Sequence, residues 1–195
     1  MRGDENWRSR VGSMAPGEHF LLWSDGSPSS ISVLEMFIRG GLARGDLIVI
    51  AVPRSEHETL HEQMRARGLE LDSLIARELL LLLAAEDWSP HDASDEDSVA
   101  SFLGALSDVS AGRGKVGLTY LGRIAPWFFE IGDLPISIMV ERVLHVRRGS
   151  ARILCPYDLR SLTLQHLGEA SSLLSSHTHT MTARGQDRFL VEETR

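Results

Sequence analysis

The chain has a single cysteine, Cys155, so no intrachain disulfide framework can form, and a cytosolic setting is expected. It has a single lysine, Lys115, and almost all of its positive charge is arginine. It has no long apolar run. The longest, Leu79 to Ala85, is too short to cross a bilayer. Residues 1–16 carry Asp4, Glu5, Arg8 and Arg10 without an apolar core segment, so no signal peptide is expected there and the segment reads as a flexible arm. A surplus of positive charge is also missing. The formal net charge is -7, so the surface repels phosphate backbones and direct nucleic-acid binding is not expected.

What is present suits one soluble domain. The 195 residues are 43% apolar and 24% charged, enough for one sizeable core. His19 to Trp23, Leu47 to Val52, Leu79 to Ala85, Val116 to Leu121 and Ala151 to Cys155 read as five buried strands. Between them lie helical patterns. Ile31, Leu34, Phe37, Ile38 and Leu42 share one face of a helix over about Ser30 to Ala43, which Gly45 can stop. Ser55 is expected to cap a second helix running to about Arg67, with Glu58 at the capping-box position. Val99 to Val109, Ile136 to Val146 and Leu159 to Ser175 are further helices. Pro126 to Phe129 is apolar but irregular, residues 89–98 form an acidic break, and Phe189 to Val191 can close the sheet as an edge strand. Strands alternating with helices predict an α/β fold: a mostly parallel central sheet with helices on both faces.

Three segments of the sequence resemble the MEDS family, the sensory domain of methanogen and methylotroph regulators named for DcmR. The first holds Gly17-Glu18-His19, Trp23-Ser24, Met36-Phe37-Ile38, Gly40-Gly41-Leu42 and Gly45-Asp46. The second is Ala85-Glu86, and the third is Ile153-Leu154-Cys155-Pro156-Tyr157-Asp158 with His177 further on. Glu141 matches a glutamate of the family, whereas Arg123 stands where that family has an acidic residue. The resemblance implies a RecA/KaiC-like three-layer sandwich over residues 17–195, and a sensory role, often in gene regulation.

The segment Ser24-Asp25-Gly26-Ser27-Pro28-Ser29-Ser30 sits where such a fold binds phosphates. A working loop needs G-x-x-x-x-G-K-[ST], whose backbone N–H groups cradle phosphates while lysine neutralises them. Here lysine is absent, Asp25 adds the wrong charge and Pro28 removes a donor. The hydroxyls of Ser24, Ser27, Ser29 and Ser30 remain available to a polar ligand at the helix N-terminus, or serve as plain caps. Glu86 and Asp87 follow the third strand like the acidic end of a magnesium site, but without a phosphate lysine they have no partner.

His19 opens the first strand, and serves either a ligand or the strand itself. Tyr157 and Asp158 end the fifth, where open α/β sheets bind ligands. With Arg123, Glu141 and His177 these complete the expected ligand-binding set, and no catalytic residue is assigned. Cys155 reads as core volume. His57-Glu58-Thr59-Leu60-His61 fits H-E-x-x-H letter by letter, but lacks a third ligand and lies among charges that mark a solvated helix. His177 and His179 likewise show no third ligand, so no metal centre is expected and no cofactor is specified. The leading expectation is a non-catalytic sensor of a small molecule, acting through a regulatory protein partner, with homodimerisation open and no membrane contact. A weak nucleotide hydrolase, a metal hydrolase on His57, Glu58 and His61, and a scaffold are the alternatives.

Overall fold

The computed structural model describes residues 7–87, 95–162, 167–183 and 189–194. Its strands are β1 (His19–Ser24), β2 (Leu47–Val52), β3 (Leu80–Ala84), β4 (Leu118–Gly122), β5 (Arg152–Asp158), β6 (His179–Ala183) and β7 (Phe189–Glu193). They form one sheet in the order β3-β2-β4-β5-β1-β6-β7. Every pairing is parallel except β6 with β7. The helices are α1 (Trp7–Gly12), α2 (Pro28–Arg44), α3 (Arg54–Arg65), α4 (Leu71–Ala76), α5 (Glu96–Gly112), α6 (Ile124–Glu130), α7 (Leu134–Arg147) and α8 (Leu167–Ser175).

Strand alternation divides the core into two layers. Phe20, Leu22, Ile48, Ile50, Leu121 and Leu154 pack with α1, α2, α3 and α4. Leu21, Trp23, Val49, Tyr120, Cys155 and Tyr157 pack with α5, α6 and α7. Nearly continuous burial along β1, β2, β4 and β5 follows from coverage on both faces.

The helix punctuation follows the sequence at α2. Ser27 caps its start, and Gly45 ends it at φ 80°, a left-handed conformation that glycine adopts without a Cβ clash. The Gly40-Gly41 pair is a packing device. A Cβ on Gly41 would lie 2.5 Å from Ile48 Cδ1 and 2.8 Å from Thr119 Oγ1, so this glycine lets α2 press onto the sheet.

Four expectations are revised. Residues 7–16 are not a flexible arm: α1 lies against α2, and Trp7, Val11 and Met14 are buried. Ser55 does not cap α3, which begins one residue earlier after Pro53; the Glu86 carboxylate instead accepts the Arg54 N–H at 3.0 and 3.1 Å. Pro126 to Phe129 lie in α6, where Pro126 sits in the first turn and sacrifices no helical hydrogen bond. The predicted helix from Leu159 opens instead as a 3-10 turn, Leu159–Ser161, and its residues 163–166 fall outside the described residues, as do residues 89–94 of the acidic break.

A buried ion cluster fixes the amino-terminal edge of the sheet. Asp46 Oδ2 accepts from Thr119 Oγ1 at 2.7 Å, Arg44 Nε at 3.1 Å and Arg152 Nη1 at 3.2 Å. Arg152 Nε also donates to the Met14 carbonyl at 2.7 Å, joining the segment after α1 to β5. No helix among the described residues is long and apolar enough to cross a membrane.

Candidate functional site

The connection from β1 leaves the sheet interior, passes over β5 and β4 through α2, and enters β2. Such a topology opens a crevice beyond the carboxyl ends of the strands. A cleft of about 320 Å³ lies there, on the α2–α3 side. Ser24 of β1, Val52 of β2, Leu121 of β4, and Pro156 and Asp158 of β5 bound it, and Ile31, Leu34 and Leu60 supply apolar wall.

Its charged groups are already arranged in pairs. Arg123 follows β4, and its Nη2 lies 3.1 Å from Glu56 and 2.8 Å from Glu130. Arg123 Nε is buried and has no hydrogen-bond partner among the described residues. Burial pushes the Glu56 carboxyl above its ordinary value, against the pull of Arg123. Asp158 takes Arg160 at 2.7 Å, and hydrogen bonds from that guanidinium hold its carboxyl below its ordinary value. Three carboxylates thus face two guanidinium groups, so the cleft leans acidic.

The loop between β1 and α2 is occupied by its own side chains. Asp25 Oδ1 accepts the Ser27 N–H at 2.9 Å and the Ser30 hydroxyl at 2.8 Å. The bonds from Ser27 and Ser30 hold the Asp25 carboxyl down to about 2. Ser27 Oγ accepts the Ser30 N–H at 3.3 Å. A carboxylate therefore stands at the positive end of α2, where a phosphate-binding loop would hold its ligand. Ser27→Ala is expected to lower stability by about 1 kcal/mol through loss of the cap, read as a shifted denaturation midpoint.

A second constellation lies on the opposite face of the sheet. The register pairs Leu21 with Cys155 and Trp23 with Tyr157, so His19, Cys155 and Tyr157 all point toward α7. Helix α7 brings Ser137, Glu141 and His145 over them at four-residue spacing. His177, in the link from α8 to β6, is held beside β1 by the Thr178 N–H donating to the His19 carbonyl at 2.7 Å. Glu141 Oε2 lies 3.2 Å from His19 Nε2 and 3.3 Å from His177 Nε2, and its Oε1 accepts the Tyr157 hydroxyl at 2.7 Å. Cys155 Sγ lies 3.3 Å from His19 Nε2 and 3.4 Å from Glu141 Oε2. Burial, with His177 alongside, pulls the His19 imidazole down to about 3. Burial pushes Glu141 upward, but His177 and His19 outweigh it and hold the carboxylate below its ordinary range. Burial and the Glu141 charge push Cys155 and Tyr157 well up.

The eleven residues read from the sequence therefore part company. Ser24, Arg123 and Asp158 line the cleft. Ser27 and Ser30 serve the loop, Ser29 lies in the first turn of α2, and Glu86 caps α3. His19, Glu141, Tyr157 and His177 join the buried constellation. Tyr157 is fully buried and faces away from the cleft, because its neighbours Pro156 and Asp158 take the other side of β5. Sequence reasoning missed Glu56, Glu130 and Arg160, three charges scattered over separate elements, and it missed Cys155 as a partner of Glu141. The H-E-x-x-H string forms no metal-type cluster among the described residues: His57 Nε2 lies 3.2 Å from the Val52 carbonyl, and His61 Nδ1 lies 3.5 Å from Asp72.

No curated protein matches the chain. Solved structures share the fold, two of them as follows. One is a KaiC-like protein, PH0186, from the hyperthermophilic archaeon Pyrococcus horikoshii OT3, with TM-score 0.57 and 14% identity over 92% of this chain and 81% of that one. The other is the flagellar accessory protein FlaH from Methanocaldococcus jannaschii, with TM-score 0.58 and 12% identity over 100% of this chain and 85% of that one. At such identities the likeness is one of architecture, a RecA/KaiC-like three-layer sandwich. The family model for the MEthanogen/methylotroph, DcmR Sensory domain matches residues 18–177, a span that begins one residue before His19 and ends on His177, and the chain belongs to that family.

Proposed function

We propose that this domain is a non-catalytic sensor that binds a small molecule in the cleft at the carboxyl ends of β1, β2, β4 and β5. The observation that carries the reading is the Asp25 carboxylate on the Ser27 N–H and Ser30 hydroxyl. A triphosphate would have to displace a negative charge from the end of α2 without a lysine to replace it.

The cleft supports a different ligand. Its acidic balance and apolar wall suit a neutral or cationic molecule with a short apolar body and one or two polar groups. Arg123 lines the cleft and its guanidinium can donate to an acceptor on that molecule, and Asp158 accepts from a hydroxyl or amine. Binding there bridges β4 and β5 to α2 and α3, and a ligand that prefers one spacing of these elements shifts the population toward it. The net charge of -7 favours output through a partner protein over direct contact with DNA.

The test is a thermal-shift titration of the full chain with short-chain alcohols, amines and amides, using magnesium ATP as the anionic comparator. The reading expects a saturable rise in Tm with a neutral or cationic member, lost in Arg123→Gln and in Asp158→Asn. Saturable stabilisation by magnesium ATP, or no response to any probe, overturns it.

A further inference from the structure

We infer that His19, Glu141, Cys155 and His177 form a binding site for one divalent transition metal of the zinc class. The inference does not depend on the cleft, which lies on the other face of the sheet. Each of the four residues offers one donor atom, and the four atoms lie within 4.8 Å of one another. Four of the six donor-to-donor separations, His19–Glu141, His177–Glu141, Cys155–His19 and Cys155–Glu141, run from 3.2 to 3.4 Å. Metal bonds of about 2.0–2.3 Å directed to the corners of a tetrahedron give edges of about 3.3–3.7 Å. Those four edges are therefore already close to tetrahedral length, and the remaining two lie within 4.8 Å.

The hydrogen bonds around the cluster point the same way. His177 Nδ1 lies 2.6 Å from the Leu173 carbonyl, which can only accept, so the Nδ1 proton is committed there. Its Nε2 faces Glu141 Oε2 at 3.3 Å and has no hydrogen-bond partner among the described residues. Nε2 is thus the ring nitrogen turned toward the carboxylate, and a cation between the two takes one donor atom from each. The Tyr157 hydroxyl occupies Glu141 Oε1, which leaves Oε2 for the ion. A carbonyl behind one imidazole and a hydroxyl behind the carboxylate are the outer contacts that orient metal ligands.

Charge closes as well. Two neutral imidazoles, one carboxylate and one thiolate around a divalent cation sum to zero, so the loaded site can be buried without a residual charge. Loading displaces the Cys155 thiol proton to solvent as the sulfur–metal bond forms, with no change of oxidation state. Four protein donors, all essentially inaccessible, leave no open position for a water nucleophile. The ion would tie β1, β5, α7 and the α8–β6 link into one unit.

The test uses the full chain, expressed with zinc and also refolded with cobalt(II). Elemental analysis is expected to give one ion per chain. X-ray absorption of the zinc form is expected to show one sulfur at about 2.3 Å within a four-coordinate shell. The cobalt form is expected to show tetrahedral visible bands and a thiolate charge-transfer band, the latter lost in Cys155→Ser. The absorption measurement needs no variant, so it stands even where Cys155→Ser fails to fold. No bound metal after exposure to zinc or cobalt, or a shell without sulfur, overturns the inference.

Discussion

Replacing Asp46 with alanine is expected to lower the unfolding free energy by about 3–5 kcal/mol, a large share of the stability of a domain this size. The carboxylate is buried and receives Thr119, Arg44 and Arg152 on one oxygen. Its removal leaves the Arg152 guanidinium, itself largely buried, without its counter-charge. Burial already pulls the Arg152 pKa below its ordinary value, and Asp46 offsets that pull. The damage should spread to the chain terminus, because Arg152 also holds the Met14 carbonyl. Thr119→Val, which removes one neutral donor and leaves the ion pairs, should cost about 1 kcal/mol. Urea denaturation with a common slope measures both, and equal losses in the two variants would refute the ionic account.

Acidification is expected to destabilise the metal-free protein by about 3 kcal/mol between pH 6.5 and 4, measured by denaturant titration in the presence of a chelator. His19 has its folded pKa lowered to about 3 from 6.5. Below pH 6.5 the unfolded chain therefore takes up a proton that the folded chain refuses. Stability falls as pH falls, at about 1.4 kcal/mol per pH unit for one such group. The Glu141 carboxylate is also held low in the folded state, so below about 4.5 it adds a loss of the same sign. The groups facing His19 are His177, Glu141, Cys155 and, with ring centres 6.1 Å apart, His145. His145 is likewise lowered by burial. His19→Gln should flatten most of the slope above pH 4.5, and an unchanged slope would assign the acid sensitivity elsewhere.

The strands were legible because burial on both faces leaves runs such as Leu47 to Val52 without polar interruption. Helix α7 was legible through its apolar spacing, and the end of α2 through Gly45. Other elements give no such signal. Helix α1 is one and a half turns with only Trp7 and Val11 buried, so no period develops. Strand β6, His179–Ala183, alternates threonine with other residues and acquires its strand conformation from β1 on one side and β7 on the other.

The two constellations differ in the same way. The missing lysine and the added Asp25 charge of the loop after β1 were readable, because they are neighbouring residues within one segment. The buried cluster was not, because its donors come from β1, α7, β5 and the α8–β6 link. His177 and His179 are two residues apart in sequence yet separate in space: His177 lies by His19, whereas His179 stacks on Phe20 near Arg10. The register of β1 against β5 brings Cys155 beside His19, and α7 carries Glu141 over both.

The most direct trial of the sensory reading is steady-state phosphate release from magnesium ATP by the purified full chain. The account predicts a rate equal to that of buffer alone, unchanged by Glu86→Ala. Sustained release that disappears on Glu86→Ala would contradict it.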